Sequence, residues 1–318
     1  MKKKALFLPY RIVKNTPEYF ICKTIRHKDK KLIPTGSCEK GESLEDCSFR
    51  EIREELGIKG FANFFPLNLE HEFKTKRGTF CETAFAFEVR GKIKIQKTEL
   101  ESFEFMPRNK ATEELEYSFH RQTVKLCHNI LEKKTYPKIF ILVGPAGSGK
   151  DTIIEGALEK NSGIKRIKTI MTRPYKSNDD KKSRISVSLD ELKKLEGSGD
   201  IIEKNKISDY WFASSYKELM VVLSQGINGI VNVDINGTQY FKKNFSNIIT
   251  IFISVSPEDL EKRIRKRGRD DESYIKERLW IAKKEIAKSN ICDYTIINKE
   301  GQVRESITKL LRIIKENK

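Results

Sequence analysis

The sequence predicts an α/β protein of two domains, residues 1–135 and 136–318. A length of 318 residues suits two domains of ordinary size. Residues 131–140, LEKKTYPKIF, form a charged, proline-containing link. It joins a segment of helical spacing, SFHRQTVKLCHNIL, to the apolar run IFILVG, which reads as a buried strand. After the link, strand and helix patterns alternate, whereas before it strands surround one clear helix.

In the first domain KALFLPYRIV, YFICKTI and TAFAFEV read as strands. The helix is SLEDCSFREIREEL, with Ser43 as its N-cap. In the second, IFILVG, GIVNVD, ITIFISV and YTIIN read as strands. Between and after them, DTIIEGALEK, PEDLEKRIRKR and ESYIKERLWIAKKEIAK read as helices. That alternation predicts a parallel sheet with flanking helices. No internal repeat or low-complexity segment occurs.

Composition narrows the function classes. With 38% hydrophobic and 34% charged residues the chain reads as a soluble globular protein. No apolar run reaches the ~18 residues of a membrane span. The start MKKKALFLPYRIVKN has too short an apolar stretch for a signal peptide. Six cysteines without a C-x-x-C pair point to free thiols and a cytoplasmic location. The net charge of +17 fits polyanionic partners, either nucleic acid or phosphorylated small molecules. Lys and Arg are spread without a basic tail or an aromatic-basic signature, so small molecules are favoured over nucleic acid. Oligomeric state is not legible.

On the first-domain helix Glu51, Glu54 and Glu55 lie on one side, three and four residues apart. Such a cluster either holds a hard cation such as Mg2+ or forms a solvated acidic face balanced by Arg50 and Arg53. The flanking residues discriminate. Gly36, Glu42, Arg50, Glu51, Ile52, Glu54, Glu55, Gly57 and Ile58 fit G-x5-E-x7-R-E-U-x-E-E-x-G-U at every specified place, U being a bulky aliphatic. The segment therefore resembles the Nudix box. The resemblance implies an α/β/α sandwich with a mixed sheet that hydrolyses a nucleoside diphosphate linked to another group, using Mg2+ or Mn2+. It implies Glu51, Glu54 and Glu55 as metal ligands, with Glu54 and Arg50 catalytic and Arg50 orienting Glu51 by a salt bridge. Thr35 stands where the family often has a second glycine. A further base outside the box could be Glu99, Glu101 or Glu104.

In the second domain GPAGSGKDT sits between the strand IFILVG and a helix. Its glycines let backbone N–H groups face phosphate oxygens, and the helix N-terminus adds positive potential. Gly144, Pro145, Ala146, Gly147, Ser148, Gly149, Lys150, Asp151 and Thr152 are thus the expected ATP-binding loop, with Lys150 on the β- and γ-phosphates. The pattern G-x-x-x-x-G-K-[ST] wants a hydroxyl after the lysine, and here stands Asp151. Its carboxylate could hold Mg2+ directly or through water, with the Thr152 hydroxyl nearby.

Downstream segments TIMTRPYKSND, GDIIEK, VDINGTQ, RIRKRGRDDESYIKERLWIAKKEI and CDYTIIN resemble those of guanylate kinases. The likeness covers nearly all of residues 138–318. It implies Arg173 on the acceptor phosphate, Glu203 and Asp234 on the acceptor nucleoside, and Arg263 and Asn298 on the ATP side. Arg263, Arg267 and Arg278 would act as lid and transition-state clamps, with Lys150 also catalytic. Departures lie mainly on the acceptor side. Lys176 replaces a second phosphate-binding arginine, Arg184 replaces a tyrosine, and Asn232 replaces the first aspartate of D-x-D. GSGKDT and RGRDD also resemble ribose 1,5-bisphosphate phosphokinases, so the acceptor is a GMP- or dGMP-like nucleotide or a phosphosugar.

The expectation is a cytoplasmic bifunctional enzyme, a Nudix pyrophosphohydrolase fused to an ATP-dependent kinase. Two other readings stand beside it: a non-catalytic guanylate kinase-like binding module and an RNA-end hydrolase. The intact nucleotide machinery, with Gly144, Gly149, Lys150, Arg267 and Arg278, argues against the binding module.

Overall fold

A computed structural model describes residues 1–58, 60–90, 93–95, 99–175, 181–207, 209–266 and 272–317, and of residues 266, 273, 274, 277 and 278 the backbone alone. It divides into two compact units. The first comprises Met1–Tyr136, Leu189–Ile202 and Ser215–Gly226. The second comprises Pro137–Ser188, Glu203–Ser214 and Ile227–Lys318. In chain order the first elements are β1 (Lys2–Val13), β2 (Thr16–Thr24), β3 (His27–Leu32), β4 (Thr35–Ser37), α1 (Leu44–Leu56), β5 (Asn63–Thr75), β6 (Gly78–Glu88), β7 (Leu100–Pro107), α2 (Arg108–Glu114) and α3 (Ser118–Lys133). There follow β8 (Ile139–Val143), α4 (Lys150–Lys160), β9 (Ile164–Arg166), β10 (Thr169–Met171), β11 (Arg184–Ser186), α5 (Leu189–Gly197), β12 (Ile201–Ile207), β13 (Tyr210–Ser215) and α6 (Tyr216–Leu223). The last are β14 (Asn228–Asn232), α7 (Ile235–Asn244), β15 (Ile248–Ser254), α8 (Pro257–Lys266), α9 (Glu272–Ala287), β16 (Tyr294–Ile297) and α10 (Val303–Glu316).

In the first unit the sheet order is β3-β2-β1-β6-β5, with β4 on β1 and β7 on β2. β1 and β6 run parallel and the other pairs antiparallel, so the sheet is mixed. Residues 5–10 of β1 are all buried, as a central strand covered on both faces requires. Leu6, Leu8 and Tyr10 share a core with Phe119, Val124 and Cys127 of α3, while α1 also lies against β1. Helix α1 begins where Ser43 Oγ accepts from Asp46 N at 3.0 Å. It ends at Gly57, whose φ of 61° suits a left-handed cap. Its buried residues are Cys47, Ser48, Ile52, Glu55 and Leu56, so of the acidic cluster Glu55 is buried, Glu51 is half-buried and Glu54 is exposed.

In the second unit five parallel strands lie in the order β16-β15-β8-β14-β9. All five residues of β8 are buried. Ile153, Ile154 and Ala157 of α4 meet Ile307, Leu310 and Ile314 of α10 in one core with that sheet. A parallel sheet was expected, but a second sheet, β11-β10-β13-β12, was not. Its strands β10 and β11 have three residues each, too short to display a period in sequence. Among the described residues no helix is long and apolar enough to cross a membrane. All six cysteines carry free thiols.

Candidate active sites

In the first unit a cavity of about 760 Å³ is lined by Lys4, Thr35, Gly36, Glu51, Glu55, His71, Phe73, Glu82, Glu99, Phe119 and His120, among others. Gly36 has no room for a side chain, because a Cβ there would lie 2.0 Å from Glu51 Cγ. Arg50 gathers the box. Its Nε and Nη2 donate to the two Glu42 oxygens at 2.9 Å each. Its Nη1 donates to Glu51 Oε1 at 2.9 Å and Glu54 Oε2 at 3.1 Å. The Glu42 bonds hold the Arg50 guanidinium charged more firmly than usual, with Glu51 and Glu54 adding to the effect.

Glu51 and Glu55 are pushed up from the ordinary carboxylate range by burial, and Glu55 reaches about 8 with help from the Glu51 and Glu99 charges. Glu55 is 6% exposed, and its Oε2 has no hydrogen-bond partner. A buried, partnerless carboxylate oxygen beside further carboxylates fits a hard cation, which would relieve both deficits. Among the described residues no three His, Cys, Asp or Glu side chains stand together as a ready ligand set. Glu51 and Glu54 are instead both paired with the Arg50 guanidinium.

Of the three further acids, Glu99 lines the cavity and its charge acts on both Glu51 and Glu55. Glu104 instead pairs with Lys110 at 2.7 Å, and Glu101 is exposed and does not line the cavity. Sequence reasoning missed Lys4, which donates to Thr35 Oγ1 at 2.9 Å and pairs with Glu82 at 3.3 Å. It also missed the stacked His71 and Phe119 rings, 4.9 Å apart, and His120, which burial keeps neutral with a pKa lowered to about 4. Neither feature forms a motif along the chain.

In the second unit the glycine-rich loop joins β8 to α4. Gly144, Gly147 and Gly149 have φ of 145°, 95° and 87°. These are values that only glycine adopts freely. A Cβ on Gly149 would lie 2.7 Å from Asn298 Nδ2. Lys150 Nζ donates to the carbonyls of Gly144 and, at 2.9 Å, Pro145. Ser148 Oγ is buried without a partner. Asn298 Nδ2 donates to Ser148 O at 2.8 Å, and Arg263 Nη2 donates to Asn298 O at 3.0 Å. A cavity of about 390 Å³ opens there, lined by Gly147, Gly149, Thr152, Arg263 and Asn298 among others. The close-packed glycines and the cations beside them fit a nucleotide triphosphate.

Asp151 Oδ1 accepts from Arg166 and, at 2.9 Å, from Asn232 Nδ2. Arg184 Nη2 stands 3.9 Å from Oδ2. Burial alone would raise the Asp151 carboxyl, but Arg166, Arg184 and Lys150 outweigh it and hold the pKa below its usual value. On the acceptor side, Ser214 Oγ donates to Glu203 Oε1 at 2.6 Å. Burial, with the Asp234 charge, pushes Glu203 up to about 7 against that bond. Asp234 caps α7 through Asn236 N and Gly237 N and accepts from Asn205 Nδ2 at 2.6 Å. Arg173 Nη1 donates to Pro174 O at 3.0 Å. Lys176 and Arg267 lie outside the described residues, as does the side chain of Arg278 on α9. Arg166, Asn205 and Ser214 were not singled out in the sequence.

Comparisons with known proteins give a family for each part of the chain. A family model for guanylate kinase matches residues 136–317, and one for the NUDIX domain matches 12–127. The guanylate kinase of Cupriavidus metallidurans is 31% identical over 51% of this chain and 77% of its own length. That of Rickettsia prowazekii is 32% identical over 55% and 89%. The crystal structure of guanylate kinase from Anaplasma phagocytophilum aligns with a TM-score of 0.47 and 22% identity, over 57% of this chain and 86% of that one. With a score under 0.5, that likeness adds nothing to the topology already described. The family models and curated relatives decide the matter: the chain belongs to the guanylate kinase family over residues 136–317 and carries a NUDIX domain over residues 12–127.

Proposed function

We infer that residues 1–135 hydrolyse a nucleoside diphosphate linked to another group, and that residues 136–318 transfer a phosphoryl group from ATP to a GMP- or dGMP-like monophosphate. The hydrolase half rests on the partnerless Oε2 of buried Glu55 beside Glu51 and Glu99 at a cavity. Glu51, Glu54 and Glu55 would hold the cation. Mg2+ or Mn2+ held there would supply a polarised water and neutralise charge developing at phosphorus. Arg50 keeps Glu51 in place, and Glu99 takes the proton of the attacking water.

The kinase half rests on the loop. Lys150 exchanges the carbonyls of Gly144 and Pro145 for the β- and γ-phosphates of ATP, and the loop glycines let the backbone approach. Arg263 and Asn298 bind the ATP side, while Arg267 and Arg278 close over the transferring group. Arg173 and Lys176 bind the acceptor phosphate. Glu203 and Asp234 accept from the acceptor nucleoside, and a guanine edge carries the donors such carboxylates need. In the hydrolysis a monophosphate is released, which is the acceptor class of the kinase. A second reading, a phosphosugar acceptor, is favoured by Arg184, whose charge stands where the family pattern has a tyrosine.

The proposed setting is the cytoplasm, where free thiols persist. The test is a substrate screen with nucleotides and phosphosugars on wild type, Glu54→Gln and Lys150→Ala. Hydrolysis should fall only in the first variant and phosphoryl transfer only in the second. Full activity of both kinds in both variants would overturn the site assignments.

A further inference from the structure

At the mouth of the loop two departures from the family pattern touch each other. The pattern puts a hydroxyl after the loop lysine and an aspartate at the end of the β14 strand. This chain puts Asp151 at the first place and Asn232 at the second. Asn232 Nδ2 donates to Asp151 Oδ1 at 2.9 Å. Either arrangement leaves a single carboxylate in the contact, bonded by a neutral donor from the other element.

The surroundings demand one negative charge, neither two nor none. The Arg166 side chain is only 7% exposed and donates to Asp151, with Glu155 Oε1 farther off at 3.3 Å. Removing the carboxylate would leave a largely buried guanidinium poorly compensated. A second carboxylate at 232 would face the first at hydrogen-bond distance. The strand register also allows the exchange. Arg166 pairs with Ile230 on β14, so Asn232, two residues on, projects from the same sheet face as Ile230. A carboxylate at 232 would thus remain within reach of Arg166 and of residue 151.

We propose that Asp151 and Asn232 are an exchanged pair: the loop carries the kinase centre's carboxylate, and Asn232 is the positioning residue that orients it beside Arg166 and Arg184. This rests on the ATP-dependent reading of the second domain. It implies that neither departure alone marks a weakened site, and that either one reversed alone does damage.

The experiment is a double-mutant cycle of Asp151→Ser, Asn232→Asp and the two combined. Calorimetric ATP binding is measured with Mg2+ and with a chelator, alongside melting midpoints without nucleotide. In the wild type Mg2+ should tighten ATP binding. Asp151→Ser should lose most of that gain, about tenfold. Asn232→Asp should lower both the Mg2+-free affinity and the melting midpoint. The combined variant should return to within about threefold of wild type in the Mg2+-dependent gain, and its midpoint should recover. Independent, multiplying losses would overturn the proposal, as would an unchanged Mg2+ gain in Asp151→Ser. If the wild type binds no ATP under either condition, the kinase reading fails. The midpoints then still decide the exchange, because a coupled pair recovers in the combined variant and an uncoupled one does not.

Discussion

Glu203→Gln separates the electrostatics of the acceptor pocket from its chemistry. Burial raises Glu203 from 4.5 to about 7, the Asp234 charge adds to this, and the Ser214 hydrogen bond opposes it. The folded state therefore holds the proton more tightly than the unfolded chain. That contribution is whole below pH 4.5 and is lost as pH rises through about 7. Above that, the fold carries a buried anion that glutamine would not. At about 1.36 kcal/mol per decade the full difference is about 3.4 kcal/mol. Rearrangement of Ser214 and entering water would return about half, leaving about 2 kcal/mol in favour of glutamine at pH 8. For a domain of this size that is roughly 4–8 °C in melting midpoint. Scanning fluorimetry from pH 4.5 to 8.5, without nucleotide, should show no gap between variant and wild type at the acid end. The gap should open through pH 7 and then level. A constant gap, or one that closes with rising pH, would refute the reasoning. The same variant discriminates between acceptors, because loss of an anionic partner should cost about a hundredfold with GMP. A phosphosugar held by Arg184 and Arg173 would be affected far less.

Added Mg2+ should raise the melting midpoint of the first domain in wild type but not in Glu55→Gln, which removes the buried ligand; fluorimetry reads both. Glu51→Gln should lower Mg2+ affinity at least about tenfold, measured by calorimetry, because it removes one of the charged oxygen ligands proposed for the cation. Lys150→Ala should cut ATP-dependent transfer by about 10²–10³ in a coupled ADP assay while leaving hydrolysis unchanged. Gly149→Ala places a methyl 2.7 Å from Asn298 Nδ2 at a φ of 87°. It should destabilise the second domain by about 1–2 kcal/mol and weaken ATP binding, and an unchanged midpoint would contradict the packing argument.

The elements legible in the sequence were those with a sustained apolar run or with their own start and stop signals. β8 is apolar throughout and α1 carries its own cap and stop, so both appear near the expected residues. The short strands β10 and β11 have no period to display, and their sheet was invisible for that reason. Helix α10 is amphipathic, with Ile307, Leu310, Ile313 and Ile314 buried, yet no chemistry drew the eye to it. The sites divide along the same line. Contiguous motifs announced Arg50, the box glutamates and the loop. Glu99 stood as one of three acids until the cavity and the Lys110–Glu104 pair separated them.

The departures around Asp151 carry a different lesson. Read one at a time along the chain, Asp151, Arg184 and Asn232 each look like a loss of fitness for the guanylate kinase pattern. In space they belong to one charge network, with Arg166 as its buried member. A residue that breaks a pattern has to be judged with its neighbours. The relevant quantity is the net charge of the contact, which one carboxylate, one amide and two guanidinium groups set jointly. Compensation of this kind acts between residues 81 positions apart, as Asp151 and Asn232 are, so no window along the chain could reveal it.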